Sequence, residues 1–551
     1  MAGRRREYSE GRTARWGGEE GLDLLRHDEW SAGSSALFLT ALAAVSQGLS
    51  FCYRVALSRL VGAEVMGLYQ LLMPVCSVLL SLTAVGLTAA MSNLSSQYLA
   101  LGNGKGVAQT RRMCLTALGV GLLPVSAAVV AFYDPISVYL LGDARTQLGL
   151  ILLLPCVALT GVENIHKHFF YGTGVVRPPA VVELMEQFIR AAAVLGLLVL
   201  FLPQNPERTV GLIVTGMVIC EIFSAVALTV LYRRRMARIG RTGPGERGGT
   251  LARRVTSIAV PVGATALLGN LMSAVNAALI PQKLVESGMD RAAAMSEFGV
   301  VCGMTLPMLA LPTVFLGALN LVLVPRLAYS TALNRPEEVR RRAGRAMLAV
   351  SVLILPSMAL MVVLGPDLAR MMFGQPSAGE HLLPLAAAMA LSCYQSTLGG
   401  VLNGVGRPGS HAMADLICDG IQLAFTFTVG LPGVGIRGFV AGTLVSAAAG
   451  ALLNGWLVVR YTGLRPSLFR WVTAPGLAAL LAALTSNLLF RWLKDSGVSL
   501  LAGGAASLLF GGVRYLAALS APGVYLSQVF RLRTEGGRSR KGPKPLPESS
   551  L

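Results

Sequence analysis

The sequence predicts an all-α polytopic membrane protein with fourteen transmembrane helices. Of its 551 residues, 54% are hydrophobic and 14% are charged, whereas a soluble protein of this size carries about a quarter charged residues. Fourteen apolar runs are long enough to cross a bilayer, which requires about 20 helical residues. The basic residues are concentrated in every second connecting segment, as the positive-inside rule requires of a membrane protein.

The apolar runs define the predicted spans, and the connecting segments define their orientation. The spans cover residues 35–58, 67–91, 113–132, 147–163, 179–202, 209–232, 255–280, 298–325, 346–364, 382–403, 412–430, 436–459, 471–490 and 498–520. When the N-terminus is placed in the cytosol, the inner segments hold 35 Lys and Arg residues and the outer segments hold 8. This bias predicts a plasma-membrane protein with both termini cytoplasmic.

The chain repeats itself at an offset of 232 residues. Four residues around the third and ninth spans recur at this offset, namely Ala100, Leu101, Val107 and Pro124 as Ala332, Leu333, Val339 and Pro356. The glycines of the turn before span five recur before span eleven, as Gly172 and Gly174 onto Gly404 and Gly406. Because six spans separate the copies, the repeat is parallel and predicts two six-helix lobes.

This repeat predicts the organisation of the whole chain. Two additional C-terminal helices follow the second lobe, and a basic cytosolic segment links the lobes. The predicted parts are a basic cytosolic tail (1–34), an N-lobe (35–232), the basic inter-lobe linker (233–254), a C-lobe (255–460), spans thirteen and fourteen (461–520) and a disordered basic cytosolic tail (521–551).

Several other functions are disfavoured by the residues. The net charge of +19 is compatible with nucleic-acid binding, but the basic residues lie between spans and no nucleic-acid motif accompanies them. All eight cysteines fall in apolar segments without CxxC spacing, so no metal site is predicted. There is no Walker A loop for ATP, and no cofactor is predicted. A membrane-bound glycosyltransferase is the alternative enzyme hypothesis, but the outer loops are short and lack D-x-D.

Charged residues inside the fifth span are the strongest candidates for a functional site. Glu183, Glu186, Gln187 and Arg190 lie within one apolar run. Because a charge at bilayer depth costs about 2.5–3.5 kcal/mol on insertion scales, these side chains must face protein or water. The alternative is a local ion pair, since Glu186 and Arg190 are four residues apart on one helix face.

Other charged residues extend this predicted cavity. Arg54 and Arg59, late in span one, either line the cavity or extend to the outer membrane interface. Glu221, in the middle of span six, has no basic residue within one helical turn. Glu163 and Asp415 lie near the inner ends of their predicted spans and are interpreted as interfacial. The carboxylates could also bind a coupling cation or proton.

A series of motifs in a fixed order carries a family resemblance. They are G-T-G-x-x-R-P at 172–178, E-Q-x-x-R at 186–190, A-V-P at 259–261, E-F-G-V-V-C-G-M-T-L-P-M-L-A-L-P at 297–312, V-P-R-L at 324–327, L-N-G-V-G-R-P at 402–408 and G-V-G-I-R-G at 433–438. With the 6+6+2 arrangement of spans, these motifs resemble the polysaccharide-transporter branch of the multidrug/oligosaccharidyl-lipid/polysaccharide flippase superfamily. Lipid II flippases belong to the same superfamily.

The resemblance implies a fold and a function. It implies a two-lobed, V-shaped bundle whose central cavity opens alternately to each side of the membrane. It implies a flippase, not an enzyme, that moves polyprenyl-pyrophosphate-linked sugar precursors to the outer leaflet for cell-wall, spore-cortex or polysaccharide synthesis. The expected partners are this lipid-linked oligosaccharide, membrane lipids, and a coupling cation or proton. The alternative is a cation-coupled multidrug exporter of the same superfamily.

Individual residues can be given roles on this basis. Arg190 is expected to bind phosphate, because its planar guanidinium donates two parallel hydrogen bonds. The resemblance also favours a cavity position for Arg54. Asn270 and Asn276 stand in span seven, where related proteins often have an acidic residue. They either bind sugar hydroxyls or form interhelical hydrogen bonds.

Overall fold

The computed structural model describes residues 32–201, 205–465 and 467–520. Within these ranges every regular element is a helix, as the sequence predicts. The first eight helices are α1 (Ala32–Leu80), α2 (Gly86–Ala100), α3 (Gly104–Pro135), α4 (Gln147–Gly172), α5 (Arg177–Phe201), α6 (Pro206–Ile239), α7 (Gly248–Glu286) and α8 (Arg291–Phe298). The others are α9 (Leu306–Ala310), α10 (Val314–Ala332), α11 (Pro336–Phe373), α12 (Leu382–Gly404), α13 (Pro408–Thr426), α14 (Ile436–Thr462), α15 (Ala474–Asp495) and α16 (Leu500–Ser520).

The described chain has thirteen helical segments long and apolar enough to cross a membrane. One of them, Ala41–Ala100, has 60 residues, because α1 continues through a π-helical turn into α2. At 1.5 Å per residue this is about 90 Å, roughly three times the apolar thickness of a bilayer. A break at Gly62, with φ 77° and ψ 176°, divides the segment. This segment is therefore long enough to hold the first two predicted spans, one on each side of Gly62.

Some helices extend beyond the predicted apolar runs, as on both sides of the predicted linker 233–254. α6 continues to Ile239 and α7 begins at Gly248, so only residues 240–247 of the predicted linker 233–254 are outside helices. Arginine is a good helix former, and the first helix-terminating residue after span six is Gly240, which adopts φ 76°. The predicted tails are described only at residues 32–34, since 1–31 and 521–551 lie outside the described residues.

The helix boundaries follow the 232-residue repeat. α3 and α11 begin at Gly104 and Pro336, and α4 and α12 end at Gly172 and Gly404. Both turns that follow contain a glycine with positive φ, at Gly174 (φ 75°) and Gly406 (φ 79°). The order of helix, turn and helix therefore occurs twice, as expected for two repeated lobes.

The two halves of the chain contact each other mainly through α1 and α2, which pack against α7, α8 and the π-helical turn Gly299–Thr305. Small residues allow the backbones to approach closely, as in many membrane helix pairs. A Cβ atom on Gly67 would overlap the carbonyl oxygen of Met295, and one on Gly86 would overlap that of Ala259. α15 and α16 pack against each other and against α11, outside the repeated part.

The close contact at Gly67 predicts a specific stability effect. We expect Gly67→Ala to destabilise the protein by about 1–3 kcal/mol, because the added methyl group has no space beside Met295. Gly119→Ala on α3 is the matched control, since nothing lies within 4 Å of its Cβ position. The control is expected to be neutral or slightly stabilising. Thermal unfolding of both variants in detergent measures the difference, and equal stability would contradict the packing described.

Candidate functional site

Five charged side chains form a buried cluster between α4, α5 and α6, referred to below as the ionic cluster. Its members are Glu163 and Lys167 on α4, Glu186 and Arg190 on α5, and Glu221 on α6. The spacing of four residues places both charges of α4, and both charges of α5, on one face of their helix. α6 packs against both of these helices and adds the fifth charge.

Arg190 is the most highly connected member of the cluster. Its Nη2 contacts the carboxylate of Glu186 and lies 3.4 Å from Oε1 of Glu221. Its Nε donates to Sγ of Cys220 at 3.4 Å. The local Glu186–Arg190 ion pair is therefore present, but Glu221 extends it to a second helix. The arginine side chain remains 21% exposed, so the cluster is not completely closed.

The cluster contains one more carboxylate than cations. Lys167 Nζ lies 2.7 Å from Oε1 of Glu163, and Arg190 is shared by the other two carboxylates. The carboxyl groups of Glu163 and Glu221 lie near each other, and Oε2 of Glu221 is buried without a hydrogen-bond partner among the described residues. Two ionised carboxylates repel strongly when buried, and one proton between them removes this repulsion. The cluster is thus electrically balanced when it holds a single proton.

Glu163 is buried inside the protein. Its side chain is only 3% exposed, and its position near the membrane interface stays a prediction. The predicted span ended at residue 163, whereas α4 continues to Gly172, so Glu163 lies well inside the helix. α6 covers the same face of α4. The pairing with Lys167 follows from the four-residue spacing, but the contact with Glu221 depends on how the helices pack.

Arg54 lies on α1, which packs against α5 of the ionic cluster. The neighbouring residue Tyr53 is buried. The Tyr53 hydroxyl and Nη1 of Arg54 are buried, and no described residue forms a hydrogen bond with either. No sequence pattern pointed to Tyr53, because a tyrosine in an apolar span is most simply a packing residue. Within the described chain, the Tyr53 hydroxyl and Nη1 of Arg54 are therefore unpaired polar groups on a helix that packs against α5.

The other candidates on α1 and α5 lie outside the cluster. The Glu183 side chain is 48% exposed and 4.0 Å from Lys167, and Gln187 is partly exposed on the same helix. Arg59 is exposed, and its Nε donates to the carbonyl oxygen of Met372 at 2.6 Å. A second hydrogen bond connects it to Met371. Arg59 thus binds carbonyls at the C-terminal end of α11, where a cation is favourable.

Asn270 and Asn276 line a second site, a cavity of about 430 Å³ between the two halves. Asn270 donates to Oγ of Ser81 at 2.6 Å, and Oδ1 of Asn276 accepts a hydrogen bond from Thr426. Gln70 and Ser77 of α1 line the same cavity. Both asparagines therefore form interhelical hydrogen bonds and also border open space. The structure divides the predicted site into the ionic cluster and this polar cavity.

A metal ion is not needed to explain the cluster. Ligand atoms of Glu186, Cys220 and Glu221 lie within 4.8 Å of one another, a spacing that suits a cation. The guanidinium of Arg190 contacts all three residues and takes the place of such an ion. The arrangement is suited to exchanging a proton or an anion rather than to holding a metal.

The chain matches proteins of polysaccharide synthesis. Residues 32–331 match a family described as polysaccharide biosynthesis protein. Stage V sporulation protein B of Bacillus subtilis (strain 168) is 25% identical over 427 residues, covering 77% of this chain and 81% of the relative. Sporulation protein YkvU of the same organism is 20% identical over 376 residues, covering 67% of this chain and 82% of that protein.

Solved structures share the fold. The lipid II flippase MurJ in an inward closed conformation aligns with a TM-score of 0.63 at 13% identity, covering 88% of this chain and 98% of that one. An inward-facing multidrug resistance transporter of the MATE family, within the MOP superfamily, aligns with a TM-score of 0.60 at 13% identity, covering 76% and 96%. The fold is therefore that of MurJ and MATE transporters.

The charge balance of the cluster predicts the effect of removing its arginine. Arg190→Gln leaves buried Glu186 and Glu221 without their cation, and we expect a loss of about 3–5 kcal/mol in stability. Adding Glu221→Gln should recover part of this loss, because the surplus carboxylate is removed. Exposed Arg208→Gln on α6 is the control, with a change within about 0.5 kcal/mol. Denaturant unfolding in micelles compares the three variants with the wild type, and an Arg190→Gln effect as small as that of the control would contradict the cluster.

Proposed function

Because the chain belongs to the polysaccharide biosynthesis protein family, which matches more than half of its length, we propose that it is a flippase for polyprenyl-pyrophosphate-linked sugars. It moves these precursors from the inner to the outer leaflet of the plasma membrane by alternating access, with both termini in the cytoplasm. The glycan units serve cell-wall, spore-cortex or polysaccharide synthesis. The observation that carries the proposal is the partly exposed guanidinium of Arg190 near the middle of α5.

The chemistry of the substrate explains why such an arginine is useful. A pyrophosphate–sugar headgroup is anionic and polar, and it cannot cross hydrocarbon without compensating contacts. Arginine binds phosphate through two parallel charge-assisted hydrogen bonds. In the structure these donors are occupied by Glu186 and Glu221, so phosphate must compete with carboxylates for Arg190.

A proton makes this competition reversible. When Glu221 is neutral, Arg190 remains paired with Glu186. Its guanidinium can then bind a phosphate in place of the Glu221 carboxylate. Loss of the proton restores the Glu221 carboxylate, which displaces the phosphate. Proton binding and substrate binding therefore favour each other at this site, which is the requirement for coupling. Glu163, beside Glu221, is the second carboxyl group through which the proton is exchanged.

The cavity between the halves accommodates the polar part of the headgroup. Asn270 and Asn276 on α7 face Gln70 and Ser77 on α1 across it. Amide and hydroxyl groups of this kind form hydrogen bonds with sugar hydroxyls. Because the cavity lies between the two halves, any relative movement of the halves changes its access. The sugar is therefore bound where the alternating conformations differ most.

The membrane potential adds a driving force. It supplies about 2.3 kcal/mol per elementary charge per 100 mV, with the cell interior negative. Outward movement of an anionic headgroup is therefore favourable. Neutralisation of the phosphate by Arg190 reduces this contribution.

A cation-coupled multidrug exporter is the second candidate. The observation in its favour is the surplus carboxylate, which could receive an organic cation once the cluster has lost its proton. Arg190 disfavours the exporter function, because its guanidinium already occupies the space between Glu186 and Glu221. Export of a fluorescent organic cation by vesicles containing the protein, with no lipid-linked sugar transport, would support this second function.

Transport in proteoliposomes tests the phosphate role of Arg190. We expect Arg190→Lys to flip a fluorescent lipid-linked sugar at least tenfold more slowly than the wild type, because lysine lacks the planar pair of donors. Arg208→Gln should flip at the wild-type rate. Circular dichroism confirms that the variants compared are folded. Unchanged flipping by folded Arg190→Lys would remove Arg190 from substrate binding.

An imposed pH gradient tests the coupling step separately. The wild type should flip the labelled lipid faster when the vesicle gradient drives protons in the same direction as the lipid, because the proton and the headgroup favour each other's binding. Glu163→Gln/Glu221→Gln should show no such stimulation, because neither side chain can exchange the proton. Glu207→Gln at the start of α6 is the matched control and should retain it. Stimulation of the double variant equal to the wild type would contradict the coupling and leave the flippase assignment intact.

A further inference from the structure

A second cationic site lies at the cytosolic ends of α3 and α6, far along the chain from Arg190. It is an open cavity of about 1160 Å³, referred to below as the basic pocket. Five cationic side chains line it, contributed by α3, α6 and the segment 240–247 that joins the two halves. They are Lys105, Arg111, Arg112, Arg233 and Arg241. No lining residue is acidic.

Arg111 is held in this pocket by two contacts. Its Nε donates to Nε2 of His166 at 3.0 Å, and its guanidinium lies over the ring of Tyr232 at 4.5 Å from the centroid. His166 is buried, and its Nδ1 lies 2.7 Å from the carbonyl oxygen of Val162. The ring therefore donates from Nδ1 and accepts at Nε2, which is the neutral form. This arrangement orients Arg111 and leaves its terminal nitrogens available.

The other cations of the pocket are not neutralised. Among the described residues, none forms an ion pair with Lys105, Arg112, Arg233 or Arg241. The nearby carboxylate of Glu246 accepts hydrogen bonds from Tyr98 and Arg254 instead. The contact with Tyr98 lowers the pKa of Glu246, so this carboxylate stays ionised and engaged elsewhere. The like charges of Arg111 and Arg233 lie close enough to repel each other.

The positive-inside rule accounts for basic residues on this side of the membrane but not for their collection around one cavity. An anion that enters the cavity removes the mutual repulsion of the cations. Several arginines and a lysine without carboxylate partners match the chemistry of phosphate, which arginine binds through paired hydrogen bonds. Basic pockets between transmembrane helices on the cytoplasmic side are suited to phosphate-bearing headgroups.

We infer that the basic pocket binds a phosphate-bearing anion, either a free diphosphate or the headgroup of an inner-leaflet lipid. The bound phosphate contacts α3, α6 and Arg241 together. Because Arg241 belongs to the only non-helical part of the connection between α6 and α7, the ligand fixes that connection relative to the first half. This site is independent of the proposed transport site, and its test requires no transport measurement.

Binding by the full-length protein in nanodiscs tests the inference. Inorganic pyrophosphate is titrated into phosphatidylcholine nanodiscs, and the melting temperature is compared between phosphatidylcholine and phosphatidylglycerol nanodiscs. Arg112→Gln/Arg233→Gln/Arg241→Gln removes three exposed cations of the pocket. Arg234→Gln/Arg238→Gln/Arg253→Gln removes three exposed cations outside it and has the same net charge. We expect the first triple variant to lose at least tenfold in affinity or the whole lipid-dependent shift, and the control triple to match the wild type.

The two probes distinguish a free phosphate compound from a lipid headgroup as the ligand. Stabilisation of the wild type by pyrophosphate identifies free phosphate compounds as ligands, whereas stabilisation by phosphatidylglycerol alone identifies a lipid headgroup. The inference is overturned when neither probe stabilises the wild type, or when the control triple loses as much binding as the pocket triple. Should the pocket triple aggregate, Arg233→Gln is compared with its neighbour Arg234→Gln under the same conditions, with a loss of binding expected only for the former.

Discussion

The low dielectric of the membrane interior is the constraint on which the arrangement of this protein depends. A single charge at bilayer depth is costly, so each buried charge must be matched by another. On α4 and α5 the matching begins within each helix, through pairs four residues apart. The fifth member, Glu221, has no partner on α6 and is satisfied only when α6 packs against Arg190. The three helices must therefore pack together for the charges of the cluster to be paired.

The same constraint allows the ionic cluster to exchange its binding partners. Three carboxylates and two cations cannot be balanced by ion pairs alone, so one added proton is needed to neutralise the cluster. A fully paired cluster would only stabilise helix packing. A cluster with one surplus carboxylate and a partly exposed arginine can exchange its partners, and this exchange is the physical basis of the proposed coupling between protons and phosphate.

The second copy of the repeat has matching helix boundaries, but other residues stand at the positions of the ionic cluster. At the offset of 232, Arg190 corresponds to Gln422 and Glu186 to Cys418. Glu163 corresponds to Gln395, which donates to Asp415 at 2.9 Å. Asp415 also lies 3.4 Å from Nε2 of His411, so the second half has amides, an acid and a histidine where the first half has the ionic cluster. Helix boundaries depend on turn glycines and prolines that both copies contain, whereas the charged site occurs in one copy only.

The all-helical membrane fold follows from the sequence, because length and hydropathy are local properties of the chain. The turns of the repeat and the Glu186–Arg190 pair also follow from it, since a helix brings residues four apart onto one face. The tertiary structure was needed to show that Glu221 joins this pair, that Asn270 and Asn276 line a separate cavity, and that Arg59 binds the end of α11. These contacts join residues 31 to 313 positions apart, and helical periodicity carries no information about which faces of distant helices meet.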